Sequence, residues 1–159
     1  MSGQVEHELE LEVPASEAWE LIGTLGIAKL LGEEMPELFQ KVEIVEGDGG
    51  VGTILNLTFT PGIPGPASYK EKFTKVDNEK LIKETEVVEG GYLDIGFTLF
   101  RVRLQVIEKG KESSIVKASI EYEVKEAANA ALVSIEPLAN IVQVVKNYLG
   151  RNKAAKEAK

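Results

Sequence analysis

Three side chains able to carry acid–base chemistry fall on two adjacent segments that alternate like strands. In SYKEKFTKV, Tyr69 and Glu71 share one face with Phe73, and the opposite face carries two lysines. The lysine face is expected to meet solvent, so Glu71 is predicted to point inward beside aromatic side chains. A carboxylate held in apolar surroundings can act as a proton acceptor with a perturbed pKa.

The next segment, LIKETEVVE, supplies an amine. Its two glutamates, Glu84 and Glu86, share one face, which favours solvent there and turns Lys83 inward. Burying a carboxylate and an amine is costly, which makes catalysis a natural hypothesis. Two structural explanations stay open at this point: a Glu71–Lys83 ion pair that only joins two strands, and an exposed Lys83 if the faces are reversed.

The elements that must position these residues can be read along the chain. One alternating segment is followed by two short helical pieces and then by six further strand-like segments joined by turn residues. The predicted strands cover residues 6–13, 41–46, 53–59, 69–76, 81–89, 92–108 and 114–124. Consecutive strands pair antiparallel, so the order predicts an α+β fold with an antiparallel meander.

A long amphipathic helix is predicted over residues 127–153. Its apolar residues recur at spacings of three and four, and Pro137 inside it predicts a kink. The stripe consists of Leu132, Ile135, Leu138, Val142, Val145 and Leu149. A helix of this kind must cover the apolar face of the sheet, and a sheet curved around it can leave a hollow.

The segment EIVEGDGGVGTILNLTF contains three glycines in the order of a dinucleotide-binding fingerprint. The fingerprint needs a helix directly after the last glycine, whereas residues 53–59 are β-branched and aromatic-rich. A P-loop would need Lys then Ser or Thr there, and no lysine precedes Thr53. The segment is therefore interpreted as a glycine turn between two antiparallel strands, and no nucleotide cofactor is expected.

Composition narrows the function classes. The 159 residues suit one domain, and no apolar run is expected to approach the length of a membrane span. The N-terminus lacks the pattern of a secretory signal, so a cytoplasmic location is expected. The net charge of −8 disfavours nucleic acid and anionic membranes as partners. With no cysteine and one histidine, His7, on a predicted edge or surface, no metal site is expected.

Three motifs carry a resemblance to a known family. GDGGVGTILNLTFTPG, YKEKFTKVDNE and EVVEGGYLDIGFTL resemble the plant birch-pollen-allergen (pathogenesis-related) superfamily, within it the branch of norcoclaurine and norbelladine synthases, and more closely the norbelladine side. The resemblance covers essentially the whole chain. It implies a seven-stranded antiparallel sheet gripping a long C-terminal helix, with two short helices after the first strand and an internal cavity. It also implies that the glycine turn lies near the cavity mouth, beside the long helix.

The resemblance implies catalytic roles for Tyr69, Glu71 and Lys83 in the condensation of an arylethylamine with an aldehyde, without a cofactor. An aspartate that norcoclaurine synthase carries on the long strand is replaced here by Val102. The expected reaction therefore joins tyramine to 3,4-dihydroxybenzaldehyde as an imine, which another protein, an imine reductase, would reduce. Pictet–Spengler closure of dopamine with 4-hydroxyphenylacetaldehyde is the alternative.

The inward faces predict the substrate-binding wall, which consists of Phe73, Phe100, Val102, Tyr122 and Leu138. A function of another class remains open, because relatives in this superfamily also carry small apolar plant ligands without turnover. Composition does not separate a catalytic cavity from a storage cavity. The inward carboxylate and amine favour the enzyme, since a carrier has little reason to bury both charges.

Overall fold

The computed structural model describes residues 1–158. Two short helices follow the first strand, six further strands come next, and a long helix ends the chain. The elements are β1 (Ser2–Leu11), α1 (Ala15–Ile22), α2 (Gly26–Glu34), β2 (Phe39–Glu46), β3 (Ile54–Phe59), β4 (Ser68–Asp77), β5 (Ile82–Gly90), β6 (Phe97–Gly110), β7 (Ser113–Val124) and α3 (Glu136–Glu157). Two 3-10 segments, Gly91–Ile95 and Ala127–Leu132, precede β6 and α3.

The seven strands form one antiparallel sheet in the order β1-β7-β6-β5-β4-β3-β2. Strands β2 to β7 follow one another as a meander, and β1 pairs with the last strand. The predicted α+β fold is confirmed. His7 lies on β1, an edge strand, where it pairs with Ala118.

Helix α3 packs its apolar stripe into the main core. The stripe comprises the buried residues Leu138, Val142, Val145 and Leu149, spaced by three or four positions. This spacing puts all four on one side of the helix, and the inward residues of β6 and β7 belong to the same core cluster. The sheet therefore grips the helix, as the resemblance implies.

The start of the long helix differs from the prediction. Helix α3 begins at Glu136, and the preceding Ala127–Leu132 segment is a separate 3-10 turn in which Leu132 is exposed. Pro137 therefore stands in the first turn, where its missing N–H is not needed, and the predicted kink is wrong. Just before the helix, the Oγ of Ser134 accepts a hydrogen bond from the backbone N–H of Glu136.

Strand β6 also begins later than predicted. Residues Gly91–Ile95 form a 3-10 segment, so Tyr92 does not belong to a strand. The segment is bounded by Gly90 and Gly96, whose φ angles of 78° and 93° are unfavourable for residues with a side chain. These glycines let the chain leave β5, cross the end of the sheet and return as β6.

The glycine turn joins β2 to β3, as the sequence predicts. Gly47 and Gly49 have positive φ angles of 97° and 108°, and the N–H of Gly49 donates to Oγ1 of Thr53. A side chain on Gly49 would meet Leu25, which precedes α2. Among the described residues, 47–52 do not contribute to the lining of the cavity, and the position of this turn near the cavity mouth stays a prediction.

The C-terminal segment is more apolar than expected. Ala127–Glu157 contains an 18-residue window with a mean hydropathy of 1.3, so the expectation of no membrane-length apolar segment is wrong by composition. In the fold this segment is not one continuous helix, because residues 133–135 separate the 3-10 turn from α3. The apolar side of α3 is buried in the core, with Val142 and Val145 almost completely covered.

Candidate active site

A cavity of about 170 Å³ lies between the sheet and helix α3. Its wall is mostly aliphatic and aromatic, and its polar side chains include those of Tyr69, Glu71, Lys83 and Thr85. A wider chamber of about 1000 Å³ adjoins it and shares several lining residues with it. The shared residues are Leu38, Ile63, Pro64, Pro66, Tyr92, Ser134 and Pro137. The two spaces therefore meet along these shared residues.

Lys83 points inward from β5, as the alternation predicts, and is only 4% exposed. Its Nζ donates to the carbonyl oxygens of Ile22 and Thr24, at 3.1 and 3.3 Å. The same Nζ lies 4.0 Å from the ring centroid of Phe73. The last carbonyls of a helix have no partner within it, so the C-terminal end of α1 provides acceptors for an ammonium group.

Two opposing effects act on the pKa of Lys83. Removal from water lowers it from the ordinary value of 10.5 to about 8, although the charge of Glu71 acts in the opposite direction. Near neutral pH the side chain is therefore mostly protonated, yet it can give up its proton far more readily than a surface lysine. An ammonium group with this pKa is suited to general acid catalysis.

Glu71 lies on β4 in the wall of the same cavity. Burial raises the pKa of its carboxyl group, while the charge of Lys83 and a hydrogen bond from Thr85 lower it. The Oγ1 of Thr85 donates to Oε2 of Glu71 at 3.4 Å. The carboxylate is thus a stronger base than one in water.

The simple ion-pair explanation for these two charges is wrong. None of the ion pairs within residues 1–158 joins Glu71 to Lys83. The other structural explanation, an exposed Lys83, is also wrong, because the residue is buried. Acid and base therefore face one cavity while each is bound to a different partner.

Tyr69 stands next to this pair within a row of aromatic rings. Its ring lies 5.2 Å from that of Phe59 and 6.1 Å from that of Tyr92, measured between centroids. Burial raises the pKa of Tyr69 well above its ordinary value, and the charge of Glu71 raises it further. The phenol therefore keeps its proton and can donate a hydrogen bond to a ligand.

Four of the five residues predicted to bind substrate line the cavity: Phe73, Phe100, Val102 and Leu138. Tyr122 is not part of the wall and is a correction to the prediction. It is buried in the core, where its ring lies 6.1 Å from that of Phe97. Its phenol lies over Gly3 of β1, which has no side chain to exclude it.

Tyr92 is a cavity residue that the sequence analysis missed. Its ring stacks on Phe100 with centroids 3.9 Å apart and planes within 6°, and it lines both the inner cavity and the wide chamber. Burial raises its pKa. Gly96 was the available signal, because a glycine four residues after Tyr92 interrupts the strand that was predicted to run from residue 92.

The outward face of β5 is drier than expected. Glu84 is only 9% exposed, because its carboxylate lies 3.4 Å from the guanidinium of Arg103 on β6. The two residues are direct cross-strand partners. The prediction that Lys83 points inward is correct. The opposite face of β5, whose two glutamates were expected to meet solvent, is partly buried.

The geometry suits carbonyl chemistry. An ammonium group, a carboxylate and a neutral phenol converge on an apolar cavity, so one group can protonate an oxygen while another removes a proton from a nucleophile. Within residues 1–158, no three His, Asp or Glu side chains cluster closely enough to hold a metal ion.

Comparisons with known proteins agree with this chemistry. Residues 1–152 match the pathogenesis-related protein Bet v 1 family. The chain is 46% identical over 156 residues to norbelladine synthase from Narcissus pseudonarcissus, covering 97% of this chain and 96% of that protein. It is 40% identical over 153 residues to S-norcoclaurine synthase from Thalictrum flavum subsp. glaucum, covering 94% of this chain and 72% of that protein. An X-ray structure of the Thalictrum flavum norcoclaurine synthase with dopamine and hydroxybenzaldehyde aligns with a TM-score of 0.86 at 40% identity, covering 95% of this chain and 88% of that chain.

Proposed function

The chain belongs to the pathogenesis-related protein Bet v 1 family, and we propose that it condenses tyramine with 3,4-dihydroxybenzaldehyde to an imine. At the coarser level it is an amine–aldehyde condensing enzyme of alkaloid formation, like the norbelladine and norcoclaurine synthases to which it is similar. The observation that carries the proposal is the meeting of Tyr69, Glu71 and Lys83 on one apolar wall.

The proposed reaction has two steps. The amine nitrogen attacks the aldehyde carbon while the Lys83 ammonium hydrogen-bonds the carbonyl oxygen, and Glu71 accepts a proton from the nitrogen and passes it to the resulting alkoxide. This gives a carbinolamine. Lys83 then protonates the hydroxyl group, which leaves as water while the nitrogen lone pair forms the C=N double bond, and the remaining N–H proton of the iminium returns to Lys83 to give the neutral imine. Tyr69 hydrogen-bonds the substrate and fixes its pose.

The cavity supplies the rest of the rate. General acid–base catalysis contributes typically about 10²–10⁴-fold, so holding the two partners together must account for the remainder. The aromatic row of Phe59, Tyr69 and Tyr92 offers ring faces to aryl substrates. Most of the residues that line the cavity are apolar, which strengthens hydrogen bonds to the reacting oxygen.

A direct assay tests the proposal. Purified protein is mixed with tyramine and 3,4-dihydroxybenzaldehyde, the imine is trapped with a hydride donor, and the trapped amine is measured by mass spectrometry. We expect trapped amine well above the uncatalysed background in wild type. Lys83→Ala is expected to lose most of the turnover and keep its fold, and Lys83→Glu to lose more, because two carboxylates in one cavity repel each other. Normal turnover by a folded Lys83→Ala protein would contradict the proposed mechanism.

Two other functions are tested with other substrates or with another measurement. The close alternative is the condensation of dopamine with 4-hydroxyphenylacetaldehyde followed by ring closure to norcoclaurine. It is disfavoured because Val102 offers no carboxylate for the ring-closing proton transfer. A carrier of small apolar ligands is the alternative of another class. Saturable quenching of Trp19 fluorescence without product above background would support the carrier.

The product has a consequence for the reaction sequence. An aryl imine released into water hydrolyses back to amine and aldehyde, so a reductase that adds hydride to the C=N bond has to consume it. We propose such an imine reductase as the downstream activity. The order can be tested by adding a hydride-donating reductase to the assay and measuring whether the secondary amine accumulates.

A further inference from the structure

A second layer of contacts surrounds Lys83 and begins at the indole of Trp19. Trp19 is buried in helix α1, and its Nε1–H donates to Oδ1 of Asn78 at 2.9 Å. Asn78 belongs to the turn between β4 and β5, the two strands that carry Glu71 and Lys83. This bond connects residues 59 positions apart and ties α1 to the active-site strands.

The C-terminal end of the same helix contacts Lys83. The carbonyl of Ile22, the last residue of α1, accepts from Nζ, and so does the carbonyl of Thr24. The contacts therefore form a closed path: Trp19 binds the turn, the turn leads into β5, and Lys83 of β5 returns to the end of α1.

The turn itself is held tightly. Oδ1 of Asp77 accepts from the backbone N–H groups of Glu79 and Lys80, at 3.0 and 2.9 Å. Leu81 then takes a φ of 56°, a conformation rarely adopted by a residue with a branched side chain, and its carbonyl accepts from Val106. These bonds order the backbone of the turn that carries Asn78, although Asn78 itself is exposed, and the bond from Trp19 holds its side chain.

Gly23 makes the approach of the helix end possible. It follows the last residue of α1, and its N–H donates to the carbonyl of Trp19 at 2.8 Å. A side chain at this position would collide with the Trp19 indole. The indole therefore packs directly under the chain segment whose carbonyls bind the ammonium.

We propose that Trp19 and Asn78 are positioning residues for the condensation, because their hydrogen bond sets the carbonyl oxygens of Ile22 and Thr24 around the Lys83 ammonium. The inference rests on the proposed function for its effect on turnover. Its structural part, the control of the Lys83 environment by a bond in the β4–β5 turn, can be measured without any substrate.

The sign of the expected effect follows from the groups that face Lys83. Glu71 is the charged side chain acting on it from β4, the phenols of Tyr69 and Tyr92 share its cavity, and α1 contributes carbonyl oxygens only. Carbonyl acceptors favour the protonated amine. Loosening them lowers the pKa of Lys83 further, so less ammonium is present at neutral pH and the alkaline limb of the rate profile moves to lower pH.

The test compares Asn78→Ala, Trp19→Phe and the double variant. Lysine is labelled with ¹³C and ¹⁵N, and the Lys83 signal is identified by its absence in Lys83→Met. We expect both single variants to lower the pH midpoint of that signal and to reduce kcat about three- to ten-fold, as for the loss of one hydrogen bond. The double variant should be no worse than the worse single variant, because each removes the same bond.

Two control variants separate positioning from general destabilisation. Asn78→Asp keeps an oxygen acceptor for the indole and should restore the rate, with a Lys83 midpoint at or above that of wild type because the new carboxylate adds negative charge. Glu79→Ala changes an exposed neighbour in the same turn and should match wild type. An unchanged Lys83 midpoint in Asn78→Ala would overturn the proposal, and so would a lower melting temperature with no change in midpoint. If the midpoint moves but wild type shows no condensation, the positioning stands and the proposed function fails.

Discussion

Glu71 and Lys83 face the same cavity without forming an ion pair with each other. Lys83 donates to two backbone carbonyls, and Glu71 accepts from Thr85. Each charge therefore has its own neutral partner, while the charge of one still affects the pKa of the other. A direct ion pair would lock both protonation states, whereas this arrangement leaves the base free to take a proton and the acid free to give one.

The dependence of the rate on pH should be bell-shaped. Turnover needs ionised Glu71, whose pKa is raised by burial, and protonated Lys83, whose pKa is lowered to about 8. The rate should therefore rise as pH passes the pKa of Glu71 and fall as pH passes about 8. Measuring kcat/KM across the pH range checks both limbs. Glu71→Gln should lose the acidic limb; an unchanged profile in that variant would assign the limb to another group, such as the amine substrate.

Thr85 offers a finer test of the base. Thr85→Val removes the hydroxyl that donates to Glu71 and keeps the shape of the side chain. Because that hydrogen bond favours the carboxylate, its loss should raise the pKa of Glu71 and move the acidic limb to higher pH. On that limb we expect kcat/KM to fall about two- to five-fold. Thr85→Ser, which keeps the donor, is the matched control, and equal profiles for the two variants would contradict the prediction.

Stability should show the cost of the buried ammonium. The folded-state pKa of Lys83, about 8, lies below its ordinary value of 10.5, so the unfolded chain binds more protons between these values. That penalty, about 3 kcal/mol, is fully present below pH 8 and disappears by about pH 10.5. Lys83→Met removes both the penalty and two hydrogen bonds, so it should be about 1 kcal/mol more stable than wild type at neutral pH and less stable at high pH.

Urea unfolding of the two proteins at several pH values measures this difference. The sign of the difference should reverse between the two ends of the range, since only wild type titrates at this position. A constant difference at all pH values would mean that the ammonium is not desolvated in the folded protein.

Much of the site could be predicted because it lies on strands. The period of two puts Tyr69, Glu71 and Phe73 on one face, and the same rule turns Lys83 inward; all four line the cavity. The catalytic roles themselves stay predictions. The alternation also predicts that Tyr122 points inward, which is correct. It does not show whether an inward side chain lines the cavity or packs in the solid core. That distinction depends on Gly3, a residue on the neighbouring strand whose pairing the sequence does not reveal.

The partners of Lys83 could not be predicted for a different reason. They are backbone carbonyls of Ile22 and Thr24, about 60 residues away in sequence, and a carbonyl carries no sequence signal. The start of α3 was misplaced because the apolar spacing of three in the 3-10 turn continues the stripe of the helix. Tyr92 was misplaced because a strand was predicted to begin at residue 92, whereas Gly90 and Gly96 bound a 3-10 segment there.

Val102 should decide between open imine and closed ring. It lines the cavity and pairs with Thr85 across the sheet. It lies diagonally from Lys83, two residues along β6 from Leu104, the direct partner of Lys83. Ring closure needs a base for the aromatic proton, and a valine offers none. Wild type should therefore give little enantiomerically enriched norcoclaurine from dopamine and 4-hydroxyphenylacetaldehyde, while it accelerates imine formation from tyramine and 3,4-dihydroxybenzaldehyde.

The Val102→Asp variant should gain ring closure if Lys83 pairs with the new carboxylate. Otherwise its free energy of unfolding should fall by several kcal/mol, on the order of the cost of an unpaired buried charge. Chiral chromatography reads the outcome: abundant single-enantiomer norcoclaurine from wild type would show that Val102 is no barrier and would assign the chain to the cyclising reaction.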